Sequence, residues 1–187
     1  FLTIWDGGGT DTYDLSAYST DLIIDLNPGG HSVFSAAQLA DLDQFSANAA
    51  RIARGNVFNA LLFEDDVRSI IENVEGGSGN DKIIGNQSDN ILKGNDGDDT
   101  IIGNSNADTT VGSGNDLIYG GGGNDVLIGD YPAVLYGGDG NDQLTDGAIQ
   151  YGDAGDDVLN RGMYGDAYGG LGNDTLIGSV AADLYGG

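Results

Sequence analysis

A nine-residue pattern of glycines, one Asp and one large aliphatic residue recurs through the second half of the chain. Near-copies read "EGGSGNDKII" from Glu75, "GNDGDDTII" from Gly94, "GGGGNDVLI" from Gly120, "GGDGNDQLT" from Gly137 and "GGLGNDTLI" from Gly169. Their common template is G-G-x-G-x-D-x-U-x, where U is a large aliphatic residue. A fixed short period of this kind predicts a solenoid built from identical small units.

Seven segments meet this template or nearly meet it. Aligned on the Asp, they contain Asp81, Asp99, Asp116, Asp125, Asp142, Asp157 and Asp174, and the U position holds Ile83, Ile101, Ile118, Leu127, Leu144, Leu159 and Leu176. A three-residue strand with its central side chain inward, followed by a glycine loop, makes half a turn of a parallel β-roll. Two halves make one coil of about eighteen residues, so that loops on the same edge stack.

The charge of the chain restricts its partners. The sequence has 30 acidic and 6 basic residues, a net charge of −24, and only 3 of the acids are Glu. Nucleic acid and anionic membrane surfaces require clustered Lys and Arg, so we expect neither as a partner. Because the chain has no long apolar run and no Cys, we also expect no membrane span, disulfide or thiolate metal site.

The loop composition points to calcium. Glycines at loop positions one, two and four permit positive φ and let carbonyl groups converge, and the Asp at position six adds a carboxylate. Such an oxygen cage between two stacked loops suits Ca²⁺, whereas Zn²⁺ prefers His or Cys. The candidate ligands are Gly76, Ser78, Asn80, Asp81, Gly94, Asp96, Asp98, Asp99, Asp108, Ser113, Asn115, Asp116, Gly120, Gly122, Asn124, Asp125, Gly137, Asp139, Asn141, Asp142, Gly152, Ala154, Asp156, Asp157, Gly169, Leu171, Asn173 and Asp174.

The order of strong and weak motifs predicts where the ions lie. With halves assigned alternately, one edge has strong loops from Gly76 to Val111 and weak loops afterwards, and the other edge does the reverse. We therefore predict that the calcium row changes edges near residues 111 to 125. Pairing strong loops gives two ions and then three, with a further one through Asp108, and several ions in all, about five to eight.

The segment before Gly76 lacks the repeat. The stretch "SAAQLADLDQFSANAARIA" has apolar residues at intervals of three and four, which predicts an amphipathic helix or a helical pair. "TDLIIDL" and "NVFNALLF" are typical of strands or short buried segments, and "NPGG" of a turn. We therefore expect an α+β cap over residues 1–75, followed by the roll over 76–187, an all-β unit.

These motifs resemble the RTX calcium-binding repeats, specifically the serralysin-type C-terminal module of secreted bacterial metalloproteases. The opening "TIWDGGGTDTYDLS" is similar to the entry strand and first calcium loop of that family, and "IENVEGGSGNDKIIGN" to its lead into the roll. The resemblance implies a right-handed parallel β-roll, a role in type I secretion, and calcium ligands at Asp6, Gly8, Gly9, Asp11 and Glu72. Residues 29 to 68 depart from the family pattern.

We do not expect catalysis from this segment. The H-E-x-x-H motif of the metalloproteases is absent, and the lone histidine, His31, is interpreted as a surface or packing residue. Recurrent tyrosines near Arg161 are compatible with a polysaccharide lyase, but packing beside the inward position explains them more simply. Glu64 to Asp66 are interpreted as a solvated cluster or secondary cation site.

The resulting hypothesis is a non-catalytic module of an extracellular bacterial protein, which folds on binding Ca²⁺ outside the cell and supports secretion. The alternatives are a structural or adhesive calcium roll, or an accessory module of a secreted hydrolase, and any further partner is unknown. The sequence stops at "LYGG" inside a repeat, so we expect it to be part of a longer protein.

Overall fold

The fold consists almost entirely of short strands. The computed structural model describes residues 2–42, 52–104, 114–162, 165–178 and 183–187. Within them the strands are β1 (Leu2–Ile4), β2 (Thr12–Asp14), β3 (Ile23–Asp25), β4 (His31–Ser32), β5 (Val57–Asn59), β6 (Asn73–Glu75), β7 (Lys82–Ile84), β8 (Ile91–Asp96), β9 (Thr100–Ile102), β10 (Leu117–Gly122), β11 (Val126–Ile128), β12 (Val134–Asp139), β13 (Gln143–Thr145), β14 (Ile149–Ala154), β15 (Val158–Arg161), β16 (Asp166–Leu171), β17 (Thr175–Gly178) and β18 (Asp183–Tyr185).

Two parallel sheets contain most of these strands. The first sheet has eight strands in the order β18-β16-β14-β12-β10-β8-β6-β2, and the second has seven in the order β17-β15-β13-β11-β9-β7-β3. The chain alternates between the two sheets, so each pair of strands completes one coil. This arrangement confirms the predicted parallel β-roll.

The core is a column of aliphatic side chains between the sheets. The template position U contributes Ile83, Ile101, Leu127, Leu144 and Leu159 from the second sheet, and each is fully buried. Each residue pairs in register with the next, so the side chains stack along the roll. Burial of one such side chain is worth about 1.5–3 kcal/mol, and Leu92, Ile118 and Leu135 of the first sheet face this column and are equally buried.

The length of one coil decides which edge each loop occupies. Ile101 pairs in register with Leu127, and Leu127 pairs with Leu144. The first of these coils is the longer, since equivalent Asp residues are 26 positions apart across it and 17 positions apart across the second. The longer coil places the loop after Gly94 and the loop after Gly120 on the same edge. The predicted change of edge near residues 111 to 125 is therefore wrong, because counting alternate half-turns takes no account of the longer spacing between Asp99 and Asp125.

The two sheets begin before the repeats do. β2 heads the first sheet by pairing with β6, and β3 heads the second by pairing with β7. A separate three-stranded sheet, with strand order β1-β5-β4, lies before the first repeat. The strands expected in "TDLIIDL" and "NVFNALLF" are thereby confirmed as β3 and β5, and a turn follows β3 at Gly29.

The predicted helix does not form over residues 35–42. Ala36–Gln38 is a single 3-10 turn without a buried residue, and Leu39 is already extended. A helix this short needs an apolar face packed on the core, whereas Ala36–Gln38 and Leu42 are exposed here and Asp41 forms an antiparallel bridge with Ile52 instead. Residues 43–51 of the prediction lie outside the described residues. In the part that is described, no helix is long and apolar enough to cross a membrane.

Candidate calcium sites

Six glycine loops are stacked on one edge of the roll, here called the first edge. They span residues 76–81, 94–99, 120–125, 137–142, 152–157 and 169–174, and each ends in the Asp of the template. The backbone N–H of each such Asp donates to the Oδ1 atom of the Asp in the next loop. The bonds run from Asp81 to Asp99, Asp125, Asp142, Asp157 and Asp174 in turn, at 2.7–3.1 Å.

The second oxygen of these carboxylates has no partner among the described residues. Five Oδ2 atoms on the first edge are buried and accept no hydrogen bond, those of Asp99, Asp125, Asp142, Asp157 and Asp174. A buried carboxylate oxygen without a donor is costly, and native structures satisfy such groups or pair them with a cation. Asp81 is the exception, since its Oδ2 atom accepts the N–H of Gly77 at 2.9 Å.

The glycine at loop position one leaves space beside each of these oxygens. A methyl group on Gly120 would overlap the Oδ2 atom of Asp125 and would lie 2.5 Å from the carbonyl oxygen of Gly137. The same relation recurs at Gly94, Gly137 and Gly152, with the carbonyl of the following loop at 2.4–2.7 Å. Glycine thus keeps open a space between two loops on which a carboxylate oxygen and a carbonyl oxygen converge.

The glycine at position four is required for the loops to approach. Gly140 has a φ of 131°, and a methyl group on it would overlap the carbonyl oxygen of Gly123 in the preceding loop. At position two the chain uses Asp153 with a φ of 70°, because Asp tolerates the left-handed region better than most residues. These two conformations explain why the template is strict at position four and looser at position two.

Side chains at the other predicted positions contribute to the loops differently. At position five, Asn124 accepts the N–H of Asn141 at 2.9 Å and Asp156 accepts that of Asn173 at 2.8 Å, so this column forms a second hydrogen-bond ladder. Position three includes Leu171, whose side chain has no ligating atom. Any metal contact from these positions must come from backbone carbonyls or exposed oxygens, and their predicted role as ligands stays a prediction.

Burial changes the acidity of the first-edge carboxyls. Desolvation raises the pKa of Asp99 and Asp142 to about 7 and that of Asp125 to about 6, against the opposing effect of their backbone hydrogen bonds. Neighbouring carboxylates raise the pKa further. Negative charge is therefore unfavourable along this edge unless a cation neutralises it.

The donor set fits a hard cation. Among the described residues no three His, Cys, Asp or Glu side chains converge on one point, so a cation on this edge would be held by one or two carboxylates together with carbonyl groups. Carbonyl and carboxylate oxygens without His or thiolate suit Ca²⁺ and do not suit Zn²⁺. Partnerless oxygens beside open glycine spaces provide the physical basis for this assignment.

The opposite edge, here called the second edge, begins with a loop that satisfies itself. In residues 85–90, Asn90 takes the place of the Asp, and its amide donates to the Glu72 carbonyl at 2.8 Å and to Asn86 Oδ1 at 3.1 Å. Asn86 donates in turn to the carbonyls of Leu26 and Ile71. An N–H donor therefore occupies the role that a cation would have in this loop.

The loop predicted from the family resemblance lies at the start of the chain. Asp6 accepts the N–H of Gly8, and Glu72 accepts the N–H of Asp11 at 2.8 Å. The Oδ2 atom of Asp11 is buried without a partner and lies beside Gly9. The structure thus links Asp6 to Gly8 and Asp11 to Glu72, and it leaves a buried oxygen of Asp11 without a partner beside Gly9. Their role as ligands stays a prediction.

The last candidate ligands are Asp108, Ser113 and Asn115, and the residues considered for catalysis are His31 and Arg161. Asp108 and Ser113 lie outside the described residues, whereas Asn115 is described and hydrogen-bonds to Asp89 on the second edge. His31 stacks on Phe58 with ring centroids 5.9 Å apart, in agreement with a packing role. Arg161 is buried, with 1% of its surface exposed, so it does not line an outer catalytic face.

Family comparison agrees with this geometry. Four copies of the RTX calcium-binding nonapeptide repeat match residues 75–109, 110–130, 134–148 and 166–187. The roll is an RTX calcium-binding domain. The sequence family and the geometry identify the same loops at four places, those that end at Asp99, Asp125, Asp142 and Asp174, whereas the loop that ends at Asp157 lies between two matches.

Several relatives of the RTX domain are proteases. The chain is 39% identical over 89 residues to a serralysin of Photorhabdus laumondii, 37% over 89 residues to serralysin G of Dickeya chrysanthemi, and 34% over 90 residues to the metallopeptidase AprA of Pseudomonas marginalis. Each match covers 48% of this chain and 14% of the relative. The likeness therefore concerns the calcium-binding repeats.

Sequence reasoning missed several residues of the two edges. Asp21 accepts the N–H of Asn80 at 2.9 Å and places a loop without a motif beneath the first repeat. Asn86 and Asn90 hydrogen-bond to each other in the loop of residues 85–90, and Asp130 adds a buried carboxylate oxygen to the second edge. The sequence signal for these residues was a half-turn that has the expected spacing and contains Asp or Asn. Such half-turns do not match the template.

Proposed function

We propose that this chain is a Ca²⁺-dependent folding module of an extracellular bacterial protein, and that it supports type I secretion of that protein. The observation that carries the proposal is the row of five buried carboxylate oxygens without partners on the first edge. Asp99, Asp125, Asp142 and Asp157 would each hold an ion together with a carbonyl of the adjoining loop. Bound Ca²⁺ would supply the positive charge that the protein lacks there and would be coordinated by these oxygens.

Charge repulsion and conformational entropy make the folded chain depend on bound Ca²⁺. The stacked carboxylates repel one another, and glycine-rich loops lose much conformational freedom when they are ordered. Each coil offers the core only a few aliphatic side chains in return. The free energy of ion binding is then folding free energy, as in other domains without a preformed site.

The affinity range explains the link to secretion. Extracellular calcium modules have dissociation constants of roughly 0.1 to 1 mM, far above the free calcium of the cytosol. The roll would stay unfolded before export and fold after it. An unfolded chain in the cell and a folded one outside suit a secretion apparatus that moves unfolded protein.

The test is a far-UV circular dichroism titration from EDTA to about 10 mM calcium, with magnesium as the matched control. We expect a steep gain of β signal with calcium and none with magnesium. A full β signal that persists in EDTA would overturn the proposal, because the partnerless carboxylates would then be tolerated without a metal.

A second candidate function is an accessory or adhesive module, and an exposed apolar patch favours it. Trp5 and Phe63 are 71% and 74% exposed and border a concavity of about 500 Å³ that Arg68 also lines. Exposed aromatic residues around a concavity are typical of contact surfaces. If Trp5→Ala and Phe63→Ala leave calcium-induced folding intact but abolish binding to a neighbouring domain of the full-length protein, this role holds.

A further inference from the structure

Arg161 is a charged residue in the interior of the roll. It ends β15, in which exposed and buried residues alternate, so its side chain points inward on the same face as that of Leu159. Only 1% of its surface is exposed. Arg is among the residues that are almost never fully buried unless they are paired. A side chain in this position therefore needs a partner for its charge.

The register of the second sheet shows how unusual the position is. The paired strands β7, β9, β11, β13 and β15 bring one residue from each coil to equivalent places, and these residues are Gly85, Gly103, Gly129, Asp146 and Arg161. In the first three of these coils, glycine leaves the inner side of the second edge free of a side chain. In the coil of β15 and β16, a long basic side chain fills that place.

Packing accounts for the aliphatic stem of Arg161. In the first sheet of the same coil the inward residue is Ala167, which aligns through Gln150 with the larger Leu135 of an earlier coil. All three are fully buried, so the small Ala167 leaves volume that the stem of Arg161 can occupy. Packing does not neutralise charge, however, and the guanidinium group needs a separate explanation.

The guanidinium group has no hydrogen-bond partner among the described residues. Its Nε, Nη1 and Nη2 atoms are all buried and donate to no acceptor. An Arg side chain offers five N–H donors and is not deprotonated in proteins, so the buried group is a permanent cation. Native structures satisfy buried polar groups, and a buried charge requires a counter-charge in close contact. The unpartnered donors of Arg161 therefore indicate a bound ligand.

The neighbouring residues do not supply the missing negative charge. A methyl group on Gly162 would lie 2.7 Å from Oδ1 of Asp146, so this carboxylate lies beside the residue that follows Arg161. Asp146 is nevertheless exposed and accepts no hydrogen bond from the guanidinium group. By sequence, residues 163–164 and 179–182 contain no Asp or Glu. The counter-charge must then come from outside the neighbouring segments.

We propose that Arg161 binds a small monovalent anion, of the size of chloride, inside the roll at its second edge. Charge-assisted hydrogen bonds from the guanidinium N–H groups would hold the anion. The partnerless Oε1 atom of Gln150 and a water molecule are uncharged, so neither would neutralise the guanidinium group. The site has the opposite charge preference to the calcium sites, and it does not depend on the proposed calcium-dependent folding.

The experiment uses chloride as the probe, exchanged against the larger anion methanesulfonate at constant ionic strength and saturating calcium. Urea unfolding followed by circular dichroism gives the midpoint. We expect the wild-type midpoint to rise with chloride and then level off, as it does for a ligand that binds one site of the folded state. Arg161→Met keeps a long apolar side chain and should show no rise. Lys82→Met removes an exposed charge of the same sign from β7, and this matched control should rise as the wild-type chain does.

A wild-type midpoint that does not respond to chloride overturns the proposal. An equal rise in Arg161→Met also overturns it, because the effect would then be a general effect of the salt. If Arg161→Met does not fold in calcium, crystals of the wild-type chain grown in bromide decide the question. An anomalous scattering peak at hydrogen-bonding distance from the Arg161 guanidinium group is expected, and a water or protein acceptor in its place overturns the proposal. Persistence of the fold in EDTA would overturn the calcium proposal alone, since the chloride titration needs only a folded chain.

Discussion

The backbone N–H of Asp99 donates a 2.8 Å hydrogen bond to the Oδ1 atom of Asp125, 26 residues further along the chain. This bond skips the strongly matching loop that ends at Asp116, which instead accepts the N–H of Asn90 on the second edge. The first-edge row is therefore continuous from Asp81 to Asp174. Adjacent sites in such a row share a loop, so we expect their occupation to be coupled.

Cysteine cross-linking tests this arrangement directly, because the chain has no Cys of its own. The N–H of Asn124 donates to Oδ1 of Asp98 at 2.8 Å, which puts the two residues on neighbouring loops. Asp98→Cys with Asn124→Cys should form a disulfide in calcium, as a gel mobility shift would show. Asp98→Cys with Asn115→Cys should not, since those residues lie on opposite edges, and the reverse result would restore the predicted edge change.

The repeat pattern predicted the roll and the inward column correctly, and the role of its Asp residues as calcium ligands stays a prediction. The prediction was possible because Ile101 and Leu127 occupy equivalent places in small repeated units, and the residues within each unit determine its conformation. The edge assignment failed because it depends on the number of residues between units. The spacing between equivalent Asp residues is 26, then 17, then 15 in successive coils, and no rule of composition fixes it.

The half-turns that match the template poorly also limited what could be predicted from the sequence. Asn90 fails the template, so nothing local distinguished its self-satisfied loop from the loops that keep a partnerless carboxylate oxygen. The difference arises from long-range partners, such as the Glu72 carbonyl that Asn90 reaches across 18 residues. The helix predicted from "SAAQLADLDQFSANAARIA" failed for a similar reason where it is described, because periodicity cannot show whether a packing surface exists.

Replacement of one first-edge carboxylate should weaken calcium binding. Asp142→Asn keeps the Oδ1 atom that accepts the N–H of Asp125 but replaces the partnerless Oδ2 atom by an amide. We expect an apparent calcium affinity lower by about tenfold or more, because charge count sets the affinity of such sites. Circular dichroism titration measures it. Asp183→Asn, an exposed acid in β18, should titrate like the wild-type chain, and equal midpoints for both variants would contradict the assignment.

Acid should partly replace calcium. Burial raises the pKa of Asp99 to about 7 and that of Asp125 to about 6, whereas an Asp in an unfolded chain titrates near 4. The folded chain thus binds more protons than the unfolded one between these values. The contribution of these two carboxyls to the stability of the metal-free roll is fully present below about pH 4 and is lost as the pH rises through about 6 to 7.

We therefore expect a larger β signal in EDTA at pH 5.5 than at pH 8, and lower apparent calcium affinity at pH 5.5 because protons compete for the same oxygens. Parallel circular dichroism titrations at both pH values measure the two effects. Metal-free spectra that do not change between these pH values would show that the first-edge carboxyls are not protonated in any folded form.

A ladder of tyrosines stabilises the outside of the first sheet. Tyr119, Tyr136, Tyr151, Tyr168 and Tyr185 stack one on another with centroids 4.7–5.0 Å apart and ring planes within 13°. Tyr151 has a ring on each side, whereas Tyr185 stacks on Tyr168 alone among the described residues. At about 0.5–1.5 kcal/mol for each pair, Tyr151→Ala should cost about twice as much stacking energy as Tyr185→Ala.

Denaturant unfolding in saturating calcium measures this difference. Tyr151→Leu retains the apolar area without the stacking and separates the two contributions. Equal destabilisation by Tyr151→Ala and Tyr185→Ala would show that the rings contribute only through area.

Introducing a charge into the loop of residues 85–90 tests why Asn90 stands where the template has Asp. Asn90→Asp would remove the donors to the Glu72 carbonyl and to Asn86 Oδ1, and it would bury a carboxylate beside Asp116, whose Oδ1 atom accepts the N–H of residue 90. Unsatisfied buried groups cost about 1–3 kcal/mol each, so the variant should need more calcium to reach its folding midpoint. At saturating calcium we expect recovery of the wild-type spectrum together with one additional bound ion. A wild-type midpoint would mean that the amide donors of Asn90 contribute nothing to the second edge.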